Sequence, residues 1–294
     1  MYFLGIDLGT SSVKIIIMDE SGKVVNTTTK NFEISYPHIG WAEQNPDDWW
    51  NGTKEGINEI IKLSGLKSDE IKGIGFSGQM HGLVLLDKDN KVLMPAILWC
   101  DQRTQEECDY LNDVIGQNKL SKYTANMALT GFTAPKVLWV KKHKPDIYNK
   151  ISKMMLPKDY IRFKLTGLFA TDVSDASGTL MFDVKNRKWS KEMLNILEID
   201  EEVLPKVFES YQVTGRVCIE AANVTGLSEE TLVVAGAGDQ AAGAVGTGTV
   251  DSGVVSVALG TSGVVFACDK KFSVDSKNRL HSFCHANGRY HQMG

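Results

Sequence analysis

One hexapeptide occurs twice in this chain of 294 residues, and it constrains the fold more than any other feature. Residues 8–13 read LGTSSV and residues 259–264 read LGTSGV, an offset of 251 residues. Each copy follows an apolar run typical of a strand and leads into a second such run, at 14–18 and 265–268. A chance match stays open, but a strand–turn–strand unit found twice favours duplication of a whole domain.

A duplication would leave the two parts of the chain very unequal in length. Only 44 residues remain from Asp251 to the last residue. A complete second unit would need a chain of about 500 residues, because each repeated unit has to close its own core. We therefore expect one domain at residues 1–250 and the first hairpin of a second, truncated domain at 251–294. We accordingly expect the chain to be a fragment of a longer protein.

Strands and helices alternate along the first 250 residues. Asn45, followed by Pro46 and two acids, predicts a helix start, and the helix is expected to run to about residue 63. Strands alternating with helices after an opening meander indicate an α/β domain with a mixed sheet. The predicted strands are 2–8, 13–18, 24–29, 71–76 and 83–86, and the further predicted helices are 104–114, 134–144, 158–165 and 190–197.

Composition excludes several classes of protein. A hydrophobic fraction of 43% is too high for a disordered chain. Lys plus Arg number 32 against 36 for Asp plus Glu, so there is no strongly positive field for nucleic acid or an anionic membrane. No apolar run approaches membrane-spanning length, and the start of the chain lacks a signal-peptide pattern. Five scattered cysteines without a C-x-x-C pair indicate reduced thiols, and so a cytoplasmic protein.

The first copy of the repeat carries residues suited to phosphate binding. Gly9 permits close backbone approach, and the hydroxyls and amides of Thr10 and Ser11 form a nest for phosphate oxygens. Asp7 precedes the turn and could hold Mg²⁺ directly or through water. An ordinary hairpin turn with a solvated Asp is the alternative. The second copy, at residues 260–262, favours two facing hairpins that clasp a triphosphate.

Asp239 lies in a strand-to-helix turn, where a carboxylate is well placed to act as a general base toward a hydroxyl nucleophile. A plain helix cap is the alternative. The surrounding sequence GAGDQA, at residues 236–241, also permits a dinucleotide-binding reading. That reading is weak, because Ala241 replaces the third glycine and an acid stands where a pyrophosphate would approach.

Gln79, Met80 and His81 follow a predicted strand and are flanked by two glycines. The polar pair can hydrogen-bond sugar hydroxyls, with the methionine as an adaptable apolar wall, although a surface turn fits equally well. Near the end of the chain, His and Cys residues suggest a metal cluster, but their spacing matches no known zinc module. The members of this candidate cluster are His281, Cys284, His285 and His291.

Residues 131–143 read GFTAPKVLWVKKH, which by pattern alone is a helix with proline near its start and an aromatic core face. This stretch fits throughout the first signature of the FGGY family of carbohydrate kinases, within the actin/hexokinase/Hsp70-like ATPase superfamily. The chain resembles that family over essentially its whole length. The resemblance implies an actin-like ATPase (ribonuclease H-like) domain with a mixed sheet and flanking helices. Further family-like stretches are residues 41–46, 99–103, 156–160 and 171–179.

Within the family, residues 79–82, 156–160 and 281–286 are most similar to the xylulokinase members. The resemblance implies ATP-dependent transfer of the γ-phosphoryl group to O5 of D-xylulose. It implies ATP and Mg²⁺ as cofactors and a small-molecule sugar as partner, with no nucleic acid or membrane partner, and a homodimer stays open.

Site roles follow from the resemblance residue by residue. Asp239 would be the catalytic base, Met80 and His81 would contact the ketose with Gln79 beside them, and Asp7 would organise Mg²⁺. Asp101 and Arg103 would line the sugar pocket, with a structural salt bridge as an equally good reading. The residues expected to face the phosphates are Gly9, Thr10, Ser11, Ser12 and Lys14, with Gly260, Thr261 and Ser262 as the second hairpin.

The family's second domain completes the cleft with an adenosine-binding segment, which the resemblance does not find before residue 294. We expect such a chain to hold nucleotide poorly, to turn over slowly, and to expose apolar surface. The alternatives are a kinase for another ketose or polyol, a sugar-binding module without catalysis, and a non-catalytic actin-fold ATPase.

Overall fold

The computed structural model describes residues 1–259 and 263–294. Its strands are β1 (Tyr2–Leu8), β2 (Ser12–Asp19), β3 (Val24–Asn31), β4 (Glu43–Gln44), β5 (Ile71–Gly78), β6 (Val84–Leu86), β7 (Ala96–Ile97), β8 (Lys153–Met155), β9 (Ala170–Asp172), β10 (Phe182–Asp183), β11 (Lys188–Trp189), β12 (Lys206–Phe208), β13 (Val213–Arg216), β14 (Leu232–Val234), β15 (Ala237–Gly238), β16 (Val255–Leu259), β17 (Gly263–Asp269), β18 (His281–Cys284) and β19 (Tyr290–Met293). Its α-helices are α1 (Pro46–Ser64), α2 (Gln105–Asp109), α3 (Gln117–Thr124), α4 (Thr133–His143), α5 (Pro145–Tyr148), α6 (Pro157–Thr166), α7 (Val173–Ala176), α8 (Lys191–Leu197), α9 (Ile219–Thr225) and α10 (Asp239–Gly246).

A seven-stranded mixed sheet forms the centre of the molecule. Its strand order is β13-β14-β5-β1-β2-β3, and β15 pairs with the end of β5. The opening meander β1–β2–β3 is antiparallel, whereas β5 runs parallel to β1 and β14 runs parallel to β5. The predicted opening strands and the mixed sheet are confirmed.

Alternating side chains divide the sheet into two different faces. Leu4, Ile6 and Leu8 of β1 point into a core that α1 and α6 cover. Asn45 caps α1 by accepting a hydrogen bond from the Asp47 amide, as the sequence predicts. The glycine at position 56 lets α1 approach β2 closely, because a Cβ there would lie 2.7 Å from Ile15 Cδ1. This face is therefore closed, and ligand access is left to the other face and to the strand ends.

A second core lies beside the sheet and is built largely from α4, α8 and β18, with Phe132, Trp139 and Phe283 among its buried side chains. The strands β16–β19 form a separate four-stranded sheet in the order β16-β17-β19-β18. The Asn126 side chain joins it to the rest of the chain, since its amide donates to the Ser282 carbonyl at 3.0 Å and its oxygen accepts from the Ser282 amide at 3.1 Å.

The predicted helix at 104–114 differs from what the structure shows. An α-helical turn at Gln105–Asp109 passes into a π-helical segment at Tyr110–Gly116, and α3 then continues to Thr124. Asn112 accounts for part of this geometry, because its side chain both donates to the Ala128 carbonyl and accepts from the Ala128 amide. In the part of the chain that the structure describes, no helix combines the length and apolarity needed to cross a membrane.

Candidate active site

The carboxyl ends of three parallel strands meet at one edge of the central sheet. Asp7, near the end of β1, is in register with Ser77 of β5, and Gly78 of β5 is in register with Gly238 of β15. Asp239 follows directly as the first residue of α10. Residues 7, 79–81 and 239, which are separated in sequence, therefore lie along the same edge, as ligand sites of α/β sheets commonly do.

The Gly9–Thr10 turn is held rigidly by side chains from two other segments. The Gly9 amide donates to the Ser12 carbonyl at 2.9 Å and closes the turn. The Gln44 side chain donates to the Thr10 carbonyl at 2.7 Å, and the Trp99 indole donates to the Thr10 hydroxyl at 3.0 Å. Because this hydroxyl is already an acceptor, its own proton is free to point toward a phosphate oxygen.

An open groove of about 360 Å³ lies on the uncovered face of the sheet, beside this turn. Asp7 and Lys14, which are register partners on β1 and β2, lie in it with Gly75 and Ser77. The Asp7 side chain is exposed. Among residues 1–259 and 263–294, no hydrogen-bond donor reaches its carboxylate at bonding distance. A free carboxylate at a strand end, in a groove that it shares with the Lys14 amine, fits a hydrated Mg²⁺ bound to phosphate.

Asp239 is the carboxylate on the other side of the edge. Burial raises the pKa of Asp239 to about 6, the hydrogen bond from the Gln240 amide at 2.7 Å opposes that increase, and the negative charge of Asp7 adds to it. A carboxylate with this pKa is ionised at neutral pH and is a stronger base than an ordinary Asp. Asp239 therefore meets the requirements of a general base near neutral pH.

Asp239 shares a pocket of about 420 Å³ with Met80 and His81. Trp99 and Leu259 also line this pocket, so its walls are mainly apolar and its polar groups are few. Gly238 supports Met80 from behind, since a Cβ at position 238 would lie 2.8 Å from Met80 Cγ. A cavity of this size, with apolar walls and a few placed polar groups, suits a small polar ligand such as a sugar.

His81 enters this pocket from a strained backbone conformation. Its φ is 67°, and the Gly82 amide donates to the Met80 carbonyl at 2.9 Å, which makes residues 80–82 a γ-turn. The ring nitrogen Nδ1 lies 2.8 Å from the Gly178 carbonyl, and the ring stacks on Phe132 at 4.7 Å between centroids.

The hydrogen bond to Gly178 decides which ring nitrogen of His81 can bind a ligand. A carbonyl oxygen can only accept, so Nδ1 carries the proton and Nε2 is an acceptor. Burial, with the nearby charge of Lys136, lowers the pKa of His81 to about 3, and the ring is therefore neutral at physiological pH. His81 can accept a hydrogen bond from a sugar hydroxyl.

The resemblance implies that Gln79 lies beside the ketose, but its side chain lies under the Gly9–Thr10 turn. The side chain is only 2% exposed. Its amide nitrogen lies 3.3 Å from both the Gly9 carbonyl and the Gln44 side-chain oxygen. Gln79 therefore supports the phosphate turn from beneath and does not line the 420 Å³ pocket.

The sequence and the fold of this chain are similar to those of known proteins. Residues 2–246 match the model for the N-terminal domain of the FGGY family of carbohydrate kinases. The chain belongs to this family. It is 44% identical to the xylulose kinase of Klebsiella pneumoniae over 292 residues, which are 99% of this chain and 59% of that protein.

Two solved structures show the same FGGY architecture. The crystal structure of a xyloylose kinase from Brucella ovis matches with a TM-score of 0.95 at 40% identity, covering 100% of this chain and 60% of that one. The Plasmodium falciparum glycerol kinase solved with ADP matches with a TM-score of 0.91 at 26% identity, covering 100% and 60%. The fold is the predicted actin-like ATPase fold. This FGGY chain spans about 59% of the length of the curated relatives it matches.

Asp101 and Arg103 lie outside the sugar pocket of this FGGY chain. The Arg103 side chain is 1% exposed and binds the Asp101 carboxylate through two nitrogens, with Nη2–Oδ2 at 2.7 Å. It also pairs with Glu43 at 2.8 Å and stacks over the Trp41 ring at 3.7 Å. Of the two readings that the sequence left open, the structural salt bridge is therefore the one these contacts support.

The alternative readings of two other segments do not fit the structure. A Cβ at Gly236 would lie 2.5 Å from Phe76 Cβ, so this glycine serves close packing on β5 and not the approach of a pyrophosphate. The His281–His291 segment packs on aromatic rings; His291, for example, stacks on Phe266 at 4.1 Å. Within the described ranges no group of three His, Cys, Asp or Glu residues could hold a metal ion. The second predicted phosphate hairpin, Gly260, Thr261 and Ser262, lies outside the described residues.

Sequence reasoning missed the segment that joins the parts of the site. Ser174 accepts a hydrogen bond from the Gly238 amide at 3.1 Å, and Gly178 binds His81. Ser177 accepts from the Cys284 amide at 3.0 Å and thus connects to β18. The segment 171–179 was quoted only as family-like, because hydrogen bonds to residues about 60 to 100 positions away leave no local pattern. Trp99 was missed for the same reason.

Proposed function

We propose that this protein phosphorylates D-xylulose at O5 with ATP, giving D-xylulose 5-phosphate and ADP. The observation that carries the proposal is the shared pocket, in which the Asp239 base and the neutral His81 acceptor face a cavity with Met80 as apolar wall. The named relatives at 44% identity support the choice of a ketopentose.

In this mechanism the ketose lies against Met80 while His81 Nε2 accepts a hydrogen bond from one of its hydroxyls. The O5 hydroxyl points to Asp239, which takes its proton as O5 bonds to the γ-phosphorus. The bond between the γ-phosphorus and the β–γ bridging oxygen breaks, and ADP leaves with that oxygen. The raised pKa of Asp239 makes it a stronger base for this proton transfer than an ordinary Asp, while it stays ionised at neutral pH.

ATP with Mg²⁺ would supply the phosphoryl group and neutralise its charge. Asp7 would hold the ion, directly or through water. The groove beside the turn, which Asp7 and Lys14 line, supports a phosphate site next to the sugar pocket. The residues proposed to face the phosphates are Gly9, Thr10, Ser11, Ser12 and Lys14, with Gly260, Thr261 and Ser262 as the second hairpin.

We retain two further assignments as parts of the proposal. The division at residues 250/251 is supported by the separate sheet of β16–β19, which begins at Val255. A reducing, cytoplasmic location is supported by the five cysteines, all of which are free thiols.

A substrate screen tests the proposed function. Ketopentoses and glycerol are offered with ATP, and ADP release is measured; calorimetric titration measures sugar binding without catalysis. We expect D-xylulose to give the highest kcat/KM and His81→Ala to weaken its binding. A preference for another ketose or for glycerol would overturn the substrate assignment. Binding without ADP release would favour a sugar-binding module, and binding unaffected by His81→Ala would refute the pocket.

A further inference from the structure

Lys136, on the first turns of α4, is fully buried and has an unusual set of partners. Its Nζ donates to two backbone carbonyls, those of His81 at 2.9 Å and Gly131 at 2.7 Å. In the two described ranges, no carboxylate oxygen lies within salt-bridge distance of Nζ. Burial lowers the pKa of Lys136 to about 7. A buried amine is costly unless it is hydrogen-bonded, and here one of its two hydrogen bonds ends on His81.

The His81 carbonyl receives a second hydrogen bond from the same helix. Thr133 Oγ1 donates to it at 3.0 Å. Both donors therefore converge on the peptide of a non-glycine residue with φ of 67°. A left-handed conformation costs about 1–2 kcal/mol for such a residue, and it persists only where surrounding contacts enforce it.

The position of the imidazole ring depends on this backbone conformation. From the left-handed turn, Nδ1 reaches the Gly178 carbonyl and the ring stacks on Phe132. If the His81 peptide relaxed to negative φ, its Cα–Cβ bond would point elsewhere and both contacts would be lost. The two donors on α4 thus fix the acceptor atom that the sugar meets.

We infer that Lys136 and Thr133 are positioning residues of the sugar site, which set ketose affinity by clamping the His81 carbonyl in the left-handed turn. The inference rests on the proposed function. It assigns these residues to the sugar side only, because both bonds end on His81 and neither residue lies in the groove beside the phosphate turn. A purely structural role in anchoring α4 is the competing explanation.

The test compares Thr133→Val, Thr133→Ser and Lys136→Met with the unmodified full chain. Thr53→Val is the matched control, since Thr53 is also a buried helical threonine bonded to a backbone carbonyl, that of Trp49, but within α1. We expect Thr133→Val to raise the calorimetric Kd for D-xylulose about 10-fold, and Lys136→Met to raise it about 10- to 100-fold. Thr133→Ser should stay within about twofold, because it keeps the hydroxyl.

Kinetics separate positioning from general damage. The KM for D-xylulose should rise in Thr133→Val while the KM for ATP stays unchanged, and Thr53→Val should alter neither. Urea unfolding identifies any variant that fails to fold. If Lys136→Met fails to fold, the comparison of Thr133→Val with Thr133→Ser still tests the inference. The inference would be overturned if Thr133→Val and Lys136→Met both fold and bind D-xylulose with the Kd of the parent.

A spectroscopic measurement tests the clamp even if D-xylulose is not the ligand. The chain has six histidines, so the ring ¹³Cε1–¹H signals can be assigned by single substitutions. Thr133→Val should move the His81 signal and leave that of His38, whose ring packs on Trp41, in place, and Thr53→Val should move neither. An unchanged His81 signal in Thr133→Val would refute the clamp. If the parent chain binds no ketose and Thr133→Val still moves the His81 signal, the proposed function is refuted and the clamp is supported.

Discussion

Gly178 offers the sharpest single perturbation of the site. A Cβ at this position would lie 2.4 Å from His81 Cε1, 2.5 Å from its Nδ1 and 3.2 Å from Met80 Cε. The backbone of Gly178 is not among those with positive φ, so alanine fits it without strain of its own. Gly178→Ala therefore acts on the pocket only through the added methyl group.

The size of the effect follows from these distances. Carbon atoms in contact prefer about 3.5–4.0 Å, so the His81 ring has to retreat by about 1 Å. The Nδ1 bond to the Gly178 carbonyl, 2.8 Å in the structure, then lengthens to about 3.8 Å and is lost. A lost hydrogen bond together with a misplaced acceptor predicts a Kd for D-xylulose raised by about 10- to 100-fold.

Calorimetric titration and the ADP-release assay measure this prediction, with urea unfolding as a check on folding. Gly243→Ala is the matched control, because Gly243 lies exposed on α10 and a Cβ there meets nothing within 4 Å. It should bind D-xylulose normally and be slightly stabilised. In a His81→Ala background the added methyl has no ring to displace and meets only the flexible end of Met80, so Gly178→Ala should change the Kd by no more than about twofold. Unchanged binding in the folded Gly178→Ala single variant, or additive effects in the double variant, would refute the reasoning.

The other predictions concern Asp239, His81 and Arg103. Asp239→Asn should abolish ADP release. Because the pKa of Asp239 is raised from 3.8 to about 6, its ionised carboxylate destabilises the folded state. In urea unfolding, the free energy of unfolding of the variant should therefore exceed that of the parent by up to about 3 kcal/mol above pH 6 and equal it below pH 4. An equal gain at both pH values would contradict this. The kcat of the parent should fall below about pH 6 as Asp239 gains a proton. In Asp239→Asn, which removes that titration, the Kd for D-xylulose should stay constant from pH 4.5 to 6.5, because the pKa of His81 is about 3; a Kd that rises as the pH falls through 6.5 would show an ordinary histidine. Arg103→Met should cost about 3–5 kcal/mol in unfolding free energy, since Asp101 is left buried without its cation. Weakened sugar binding at unchanged stability would instead place Arg103 in the pocket.

Local patterns in the sequence predicted much of the fold. The apolar alternation of β1 and β2, the cap at Asn45 and the turn at Gly9 are properties of neighbouring residues, and each is found where predicted. The π-helical segment at Tyr110–Gly116 was not predicted, because a side chain 16 residues from its partner backbone helps to shape it.

The candidate site was predictable where family motifs supplied it and less so where distant contacts decide the role. Asp239, Met80 and His81 do share one pocket. Gln79 was expected beside the sugar, and Arg103 either in the sugar pocket or in a salt bridge; contacts with Gln44 and Glu43 hold both side chains outside the pocket. No pattern among neighbouring residues tells a side chain that lines the pocket from one that is buried beside it, because both positions depend on which distant segments the fold brings together.

The central claim is that Asp239 and His81 hold one ketose between them, and a crystal structure of the chain with D-xylulose tests it most directly. The account predicts the sugar in the pocket lined by Met80, with its O5 about 2.6–3.2 Å from an Asp239 carboxylate oxygen. Another hydroxyl should lie at a similar distance from His81 Nε2. A ketose bound elsewhere, or one in this pocket with O5 directed away from Asp239, would contradict the account.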